Sequence, residues 1–394
     1  MKYASYICLS FLLMLGCVEE EPIPPVNYDC ELSFPDKSAS HPQQDAFQTA
    51  LELLGENVSG VQVAIRTADH QFWLGAGGWA DMSIQQAMEP CHKTMIGSVS
   101  KIYTAVLILQ LQQENRLDIE DSLSDWLDAE ILDGIENADQ VNIRQLLNHT
   151  SGIRDYLGAK QFINSLNKPY FRQTQLEKLS YVRGKSAYHA PEADYTYSNT
   201  NYVLLGLIVE KARNMPLWEV VDQYLAQPLG LENTQMGTHI QPIPDGTARP
   251  YYFHRGKQYR NIMPIAVADA ATGDGGIASN MQEVSYFIEA LFEGQLLDSS
   301  TLAQMTNTLT LVGEEEADFS QWPGESYGLG LNMYQTPYGP AYGHTGLTST
   351  YNTFVFYFPD QQMTLAIAYN GDGTSDIWDQ RRSMRERFME LMFE

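Results

Sequence analysis

A serine and a lysine within residues 97–105 (GSVSKIYTA) are of types that can act together in catalysis. Ser98 and Lys101 are three positions apart, and residues at this spacing lie on the same face of a helix. A serine hydroxyl becomes an effective nucleophile when a neighbouring base takes its proton, and a desolvated lysine amine can be that base. Ser165 and Lys168 have the same spacing, so the spacing alone does not identify the reactive serine.

Two further motifs carry side chains suited to moving protons and holding a substrate. Tyr197 and Asn199 belong to YSN at 197–199; a phenol can carry a proton, and a carboxamide can both donate and accept hydrogen bonds. His344, Thr345 and Gly346 form HTG, in which the glycine would let a ligand backbone lie against the chain. Looser copies of the two motifs stand at 259–261 (YRN) and 254–256 (HRG).

The elements around the three motifs indicate how the fold would position them. Residues 98–112 are hydrophobic nearly all round, which predicts a buried helix with Ser98 at its N-terminus. The unpaired amides and the dipole at that end of a helix favour developing negative charge. The YSN motif precedes another strongly helical segment, and HTG precedes a strand pair that turns at Pro359 and Asp360.

Strands are predicted at both ends of the chain and helices in its middle. The simplest architecture is α/β of the α+β kind: an antiparallel sheet flanked by helices, closed by both chain ends, with an inserted, mostly helical domain. The expected segments are a signal peptide at 1–17, a linker at 18–39, an α/β domain formed by 40–112 and 271–394, and a helical domain at 113–270.

With the three motifs in this order, the sequence resembles the serine β-lactamase and penicillin-binding protein superfamily, whose motifs include Ser-x-x-Lys and Lys-Thr-Gly. The Tyr-x-Asn form of the second motif is similar to the class C β-lactamase-like and D-alanyl-D-alanine carboxypeptidase branch. The resemblance extends over most of the chain and implies a β-lactamase/transpeptidase-like fold. Other segments that look like the family are 115–123, 146–153, 197–210, 227–236 and 273–288.

The resemblance implies a catalytic role for the first two motifs. Ser98 would be the acylated nucleophile. Either Lys101 or Tyr197 would be the general base, and the sequence leaves this choice open. Asn199 would hold the lysine and a substrate amide. No metal and no cofactor is expected, because the eight histidines are scattered and form no zinc-site pattern.

The resemblance also implies that the third motif binds substrate. His344 and Thr345 would face the acidic end of the substrate, and Gly346 would let its backbone lie against the strand edge. The oxyanion hole would consist of two backbone amides, those of Ser98 and Leu347. If the charge of His344 helps to bind a carboxylate, KM should rise as the pH passes ~6.5.

The sequence departs from the family pattern at two places. His344 replaces the lysine of Lys-Thr-Gly, which looks more like secreted carboxypeptidases and D-aminopeptidases than class C β-lactamases. Pro191 and Glu192 stand where the family often has Pro-Gly, so the shape of the loop before Tyr197 is open to question. His149, in a family segment, is expected to be structural.

The N-terminus indicates export. An apolar stretch after Lys2 is followed by an acidic, proline-rich run, as in a signal peptide, and its MLGC end resembles a lipobox that would be lipidated at Cys17. An ordinary cleaved signal is the alternative. Either way we expect a bacterial envelope or periplasmic protein. Cys30 and Cys91 would then be the cysteines of the folded part, and whether they pair is left open.

Charge and motifs together define two function hypotheses. The net charge of −25 disfavours nucleic acid and anionic lipid as partners, so any membrane contact would be through the lipid anchor. The first hypothesis is an envelope serine hydrolase acting on a D-alanyl peptide or related D-amino-acid amide, with a β-lactamase or esterase of the same fold as an alternative. The second is a penicillin- or peptidoglycan-binding protein that is acylated without turnover.

Overall fold

The structure is a computed structural model of the 394-residue chain. The expected signal peptide, Cys17, and Lys168 of the second Ser-x-x-Lys pair lie outside the residues that it describes. Within the described part, no helix is both long and apolar enough to cross a membrane. The described residues are 26–52, 59–69, 71–165, 173–238, 243–254, 257–259, 272–307, 310–311, 326–348, 350–372 and 375–394.

A nine-stranded sheet forms the centre of the fold and draws its strands from both ends of the chain. Its order is β3-β2-β1-β14-β13-β12-β11-β10-β9, and neighbouring strands are antiparallel, as expected from the sequence. The strands are β1 Gly60–Arg66, β2 Phe72–Asp81, β3 Gln86–Ala87, β4 Thr94–Met95, β5 Gln235–Met236, β6 Tyr251–His254, β7 Lys257–Tyr259, β8 Ile277–Ser279, β9 Thr310–Leu311, β10 Ser326–Tyr327, β11 Asn332–Thr336, β12 Gly339–Leu347, β13 Asn352–Phe358, β14 Met363–Tyr369 and β15 Gly371–Asp372.

Helices cover both faces of this sheet. Two 3₁₀ turns, at Ser38–Ser40 and Gly97–Val99, and a π-helical turn at Asp222–Ala226 complete the helical elements described. The α-helices are α1 Gln44–Glu52, α2 Ser100–Gln113, α3 Leu123–Trp126, α4 Ala129–Leu132, α5 Ile143–Leu147, α6 Lys160–Ser165, α7 Gln175–Ser180, α8 Asn199–Arg213, α9 Leu217–Val221, α10 Gln227–Leu229, α11 Met281–Phe292, α12 Ser299–Asn307 and α13 Ser375–Phe393.

The central strands are apolar on both faces because both faces are covered. Successive side chains of a strand point to opposite faces. On β13, Phe354 and Phe356 therefore pack into one core with Phe388 of α13, whereas Val355 and Tyr357 pack into the other core, formed with α2, α8 and α11. This explains why the segment shows a continuous apolar run rather than an alternating one.

The middle of the chain supplies helices α3 to α10, as the sequence predicts. Two of its short strands, however, pair with strands that lie beyond residue 270. Strand β5 pairs with β8, and β6 pairs with β15, so short strands from the middle join partners from the outer segments. Their two to four residues give too little periodicity for a strand prediction. The domain limits at 113 and 270 stay predictions.

A strap of extended chain ties the N-terminal residues to the body. A disulfide joins Cys30 and Cys91, whose Cα atoms are 5.7 Å apart, and so settles the pairing that the sequence left open. The main chain of Asn27 accepts a hydrogen bond from Gly246 N at 2.7 Å, and Phe34 N donates one to Gln282 Oε1 at 3.1 Å. The strap therefore contacts the chain just ahead of the 3₁₀ turn that carries Ser98.

Candidate active site

Ser98 lies in the 3₁₀ turn Gly97–Val99, immediately before α2, and is half-buried. The turn is possible because Gly97 has φ +54°, a conformation that glycine adopts without strain. A Cβ atom at Gly97 would stand 3.0 Å from Leu347 N, so the turn is packed directly against the end of β12. The backbone amide segments of Ser98 and Leu347 are thus neighbours, as an oxyanion hole requires.

Lys101 is completely buried in the first turn of α2, and the partners of its amine include Ser98, Asn199 and Asp274. Lys101 Nζ lies 2.9 Å from Ser98 Oγ, 2.7 Å from Asn199 Oδ1 and 2.8 Å from the main-chain oxygen of Asp274. The carboxamide orientation of Asn199 is fixed because its Nδ2 donates to Asp155 Oδ2 at 3.1 Å. Two of these partners of Lys101 are therefore oxygens that only accept hydrogen bonds.

This arrangement directs the lone pair of a neutral Lys101 amine. The two N–H groups of the neutral amine are donated to Asn199 Oδ1 and to the main-chain oxygen of Asp274. With both of these N–H groups donated, the lone pair can be directed at Ser98 Oγ, which lies 2.9 Å from Nζ. The lysine is consequently placed to accept the serine proton.

Tyr197 is the second neighbour of the serine. Its phenol hydrogen-bonds with the Ser98 hydroxyl, and Lys101 Nζ lies 5.0 Å from the centre of its ring. Burial raises the pKa of Tyr197 well above its ordinary value, and the hydrogen bond to Ser98 offsets this only in part. The resting side chain is therefore a neutral phenol, which can donate a proton but is a poor base.

His344 is buried and held neutral, which disfavours the hypothesis that its charge binds a substrate carboxylate. Burial, together with the nearby charge of Lys101, lowers the pKa of His344 to about 3. Its Nδ1 lies 2.5 Å from the Thr345 carbonyl, an acceptor, so Nδ1 carries the proton. Nε2 is left to accept a hydrogen bond from Tyr327 Oη at 3.1 Å.

The rest of the third motif has a packing role that the sequence did not suggest. A Cβ atom at Gly346 would stand 1.9 Å from the carbonyl oxygen of Ile96, so this glycine permits the contact between β12 and the turn that bears Ser98. Thr345 is half-buried and points to the opposite face of the sheet from His344, because the two residues are adjacent in a strand. Leu347 is 39% exposed at the strand end.

Two family-like positions outside the motifs shape the loop that carries Tyr197. His149 is fully buried, has φ +60°, and accepts a hydrogen bond from Ser198 N on Nδ1 at 3.2 Å. Its ring centre is 4.3 Å from that of Tyr197, in keeping with a structural role. Glu192 has φ +62°, so it adopts the conformation that a glycine would favour, and the loop keeps its turn despite the departure from Pro-Gly.

Sequence reasoning missed four side chains that support the site. Asp155 holds Asn199, Tyr327 contacts His344, and Asp274 and Lys178 form a buried ion pair behind Lys101. Asp274 lies in the family-like segment 273–288, but its side chain was not singled out, and the other three belong to none of the motifs. The contacts that bring the four residues to the site come from the fold and leave no pattern in the sequence. Among the described residues, no group of three or more His, Cys, Asp or Glu side chains could hold a metal ion.

Comparison with known proteins identifies the family. Residues 45–386 match the Beta-lactamase family. The chain belongs to the Beta-lactamase family. The chain is similar in sequence to penicillin-binding protein 4* of Bacillus subtilis. The two are 26% identical over 82% of this chain and 71% of that protein. A D-aminopeptidase of Brucella anthropi is 25% identical and covers 77% of this chain, whereas the chain spans 54% of the D-aminopeptidase.

Solved structures show the same fold. A D-stereospecific amidohydrolase from Streptomyces sp. is 26% identical, with a TM-score of 0.73 over 86% of this chain and 98% of that chain. The D-amino acid amidase from Ochrobactrum anthropi SV3, in complex with L-phenylalanine amide, is 22% identical, with a TM-score of 0.75 over 89% of this chain and 98% of that chain. The predicted fold class is thereby confirmed for this Beta-lactamase family member.

Proposed function

We propose that this Beta-lactamase family protein is a serine hydrolase that cleaves amides of D-amino acids, including short D-amino-acid peptides, through an acyl-enzyme on Ser98. The observation that carries the proposal is the contact of Ser98 Oγ with both Lys101 Nζ, at 2.9 Å, and the neutral phenol of Tyr197. The names of the relatives and structural neighbours, D-aminopeptidase and D-stereospecific amidohydrolase among them, support the substrate class.

Acylation follows from the roles of the three side chains. Ser98 Oγ attacks the amide carbon while its proton passes to the lone pair of Lys101, and the carbonyl oxygen gains negative charge between the Ser98 and Leu347 amides. The C–N bond then breaks as the leaving nitrogen receives a proton from Tyr197, which regains one from Lys101. Water hydrolyses the resulting ester and releases the acid.

The neutral surroundings of the third motif favour an uncharged leaving end over a carboxylate. His344 carries no charge at neutral pH, and the exposed side chain at the end of β12 is Leu347, which offers no hydrogen bond. A substrate with a terminal carboxylate would therefore find no cation in this motif. This feature supports an amidase or aminopeptidase more than a carboxypeptidase or a β-lactamase.

The test is steady-state hydrolysis of D- and L-phenylalanine amide and of a D-alanyl-D-alanine peptide, with Ser98→Ala as the inactive variant. Ser165→Ala, at the second Ser-x-x-Lys pair, is the matched control and should keep full activity. We expect many turnovers on the D-amide and few on the L-amide. A single turnover that leaves a stable adduct on Ser98 would instead support the binding-protein hypothesis, and equal rates for wild type and Ser98→Ala would refute both.

For the place of action, we propose the bacterial envelope, with lipidation at Cys17 as the anchor. The signal-like N-terminus motivates this proposal, and the Cys30–Cys91 disulfide supports it because such bonds persist in oxidising compartments. Mass analysis of the N-terminal peptide from the native host should show acyl groups on Cys17. An unmodified peptide that begins after a different cleavage site would show an ordinary secreted protein.

A further inference from the structure

A second buried charge cluster lies directly behind Lys101 and takes no part in the chemistry described above. Lys178 of α7 is completely buried, and its Nζ lies 3.2 and 3.4 Å from the two carboxylate oxygens of Asp274 and 2.8 Å from Thr272 Oγ1. Tyr156 Oη donates to Asp274 Oδ2 at 2.6 Å. The same Asp274 accepts a hydrogen bond from Lys101 through its main-chain oxygen.

Asp274 is therefore in electrostatic contact with both lysines. Burial alone would disfavour its charged form, but Lys178 and Lys101 together hold the pKa of the Asp274 carboxyl below its ordinary value. A buried carboxylate beside Lys101 would by itself favour the protonated lysine, the form that cannot act as a base. An ammonium on the other side of the carboxylate cancels much of that field.

The other titratable groups that the structure describes around Lys101 are neutral or acidic. Of its neighbours, the two histidines and two tyrosines are held neutral by burial, and burial raises the pKa of the Asp155 carboxyl. The groups that face Lys101 are Tyr197, Tyr202, His149, His344, Asp155 and Asp274. Those that face Lys178 are Tyr156, Thr272 and Asp274.

We propose that Lys178 is a positioning residue of the acylation site. The ammonium of Lys178 neutralises the Asp274 carboxylate. The main chain of Asp274 can therefore hold Lys101, while the Asp274 side chain does not keep Lys101 in the protonated form. The inference rests on the proposed function, since it assigns Lys101 the role of base. It makes Lys178 necessary for reactivity at neutral pH although it does not contact Ser98.

The test is the rate at which a fluorophosphonate labels Ser98, measured from pH 5 to 9, because labelling needs the base but no knowledge of the natural substrate. In Lys178→Met, the Asp274 carboxylate is uncompensated, and the pH at which labelling is half-maximal should rise by roughly one unit or more. The double variant Lys178→Met/Asp274→Asn removes both charges and should return the profile to that of wild type.

Arg213→Met is the matched control, because it removes another buried cation that pairs with a carboxylate, here the exposed Glu114, at the far end of α8. Its profile should equal that of wild type. If Lys178→Met does not fold, the single variant Asp274→Asn tests the role of Lys178. The Lys178 charge is then uncompensated, so the pH at which labelling is half-maximal should fall. Unshifted profiles with Ser98 still labelled would overturn the role of Lys178, whereas a lack of labelling on Ser98 would overturn the proposed function itself.

Discussion

Lys101 is the residue on which the proposed chemistry depends most. Its proposed role as base rests on which neighbouring groups donate hydrogen bonds and which accept them. Asn199 Oδ1 and the main-chain oxygen of Asp274 accept hydrogen bonds and cannot donate them, so a neutral amine that donates to both can turn its lone pair toward Ser98. Tyr197, whose pKa is raised by burial, is suited to deliver a proton and not to remove one at neutral pH. The structure thus favours Lys101 in the choice that the sequence left open.

Replacing Lys101 should remove the base while leaving the nucleophile in place. Lys101→Met is expected to lower kcat about 10²- to 10⁴-fold on a D-amide, the range usual for loss of a general base. The matched control is Lys93→Met, because Lys93 is also a buried lysine but hydrogen-bonds to Gln235, away from Ser98. A Lys101→Met variant that retains wild-type kcat would exclude the lysine as base.

His344 gives a prediction about pH and binding. Because its pKa is lowered to about 3, the ring is neutral throughout the working range of the enzyme, and KM for a carboxylate-bearing substrate should not change with the titration of this residue. Measurement of KM between pH 5 and 8 checks this. A KM that rises as the pH passes ~6.5, the ordinary histidine value, would show a charged His344.

At the scale of elements, the contact between β12 and the 3₁₀ turn would set the geometry of the proposed oxyanion hole. Gly346→Ala places a methyl group where the Ile96 carbonyl lies, so the strand must move away from the turn. We expect a loss of about 10²- to 10³-fold in kcat, as for the loss of one oxyanion donor. Kinetics of the purified variant measure this loss.

Gly77→Ala is the control for that substitution. Gly77 lies in β2 of the same sheet, and an added Cβ would meet Val61 at 3.6 Å, an ordinary van der Waals distance. This variant should keep kcat within a factor of about two, since it leaves the oxyanion donors untouched. Equal losses in the two variants would mean that any alanine in the sheet is harmful, and the specific role of Gly346 would be wrong.

The loop before Tyr197 stores strain at Glu192. An L-residue in the left-handed region costs roughly 1 to 2 kcal/mol relative to a relaxed conformation, whereas glycine does not incur this cost. Glu192→Gly should therefore leave the free energy of unfolding unchanged or raise it by up to about 1 kcal/mol, after the greater entropy of the unfolded glycine chain is included. Urea unfolding provides the measurement; a loss above 1 kcal/mol would contradict the account.

The sequence predicted the elements and the motif residues well because both depend on local patterns. Residues 98–112 are apolar nearly all round and predict a buried helix, and residues 352–369 predict a strand pair. The alternation of Val61, Val63 and Ile65 predicts a half-buried strand, whereas β1 is buried along its whole length. The motif spacing placed Ser98 and Lys101 on one face. Long-range packing could not be predicted from these local patterns. No residue near Gly346 in the sequence indicates that Gly346 packs against the carbonyl of Ile96.

Charge states were the least predictable feature, since they depend on neighbours from distant segments. The sequence left open whether the charge of His344 binds a carboxylate, but the residue contacts β10 and α2 and burial holds it neutral. Lys178 and Asp274 are 96 positions apart in the chain, and neither has a sequence signal that marks a pair. A buried ion pair is established by the fold and cannot be derived from spacing.

At the scale of the whole molecule, buried neutral histidines should make the protein sensitive to acid. His344 is unprotonated when folded above about pH 3 but binds a proton near ~6.5 when unfolded, so unfolding gains protons as the pH falls between these values. Its contribution to the free energy of unfolding should therefore fall by about 1.4 kcal/mol per pH unit from 6.5 downward.

The comparison of wild type with His344→Gln isolates this contribution, because the other titrating groups are common to both. The difference in their free energies of unfolding, from urea titrations at pH 7, 6 and 5, should shrink as the pH falls. A constant difference would show that the folded and unfolded proteins bind the same number of protons at this position, against the burial described above.

The central claim is that Ser98 is the nucleophile of a Beta-lactamase family hydrolase, and the most direct test is to find the residue that a fluorophosphonate modifies. Wild-type protein and the Ser98→Ala and Ser165→Ala variants would be labelled at pH 8 and mapped by peptide mass spectrometry. We expect one label, on the peptide with Ser98, in wild type and Ser165→Ala, and none in Ser98→Ala. A label on another serine, or one that persists in Ser98→Ala, would contradict the account.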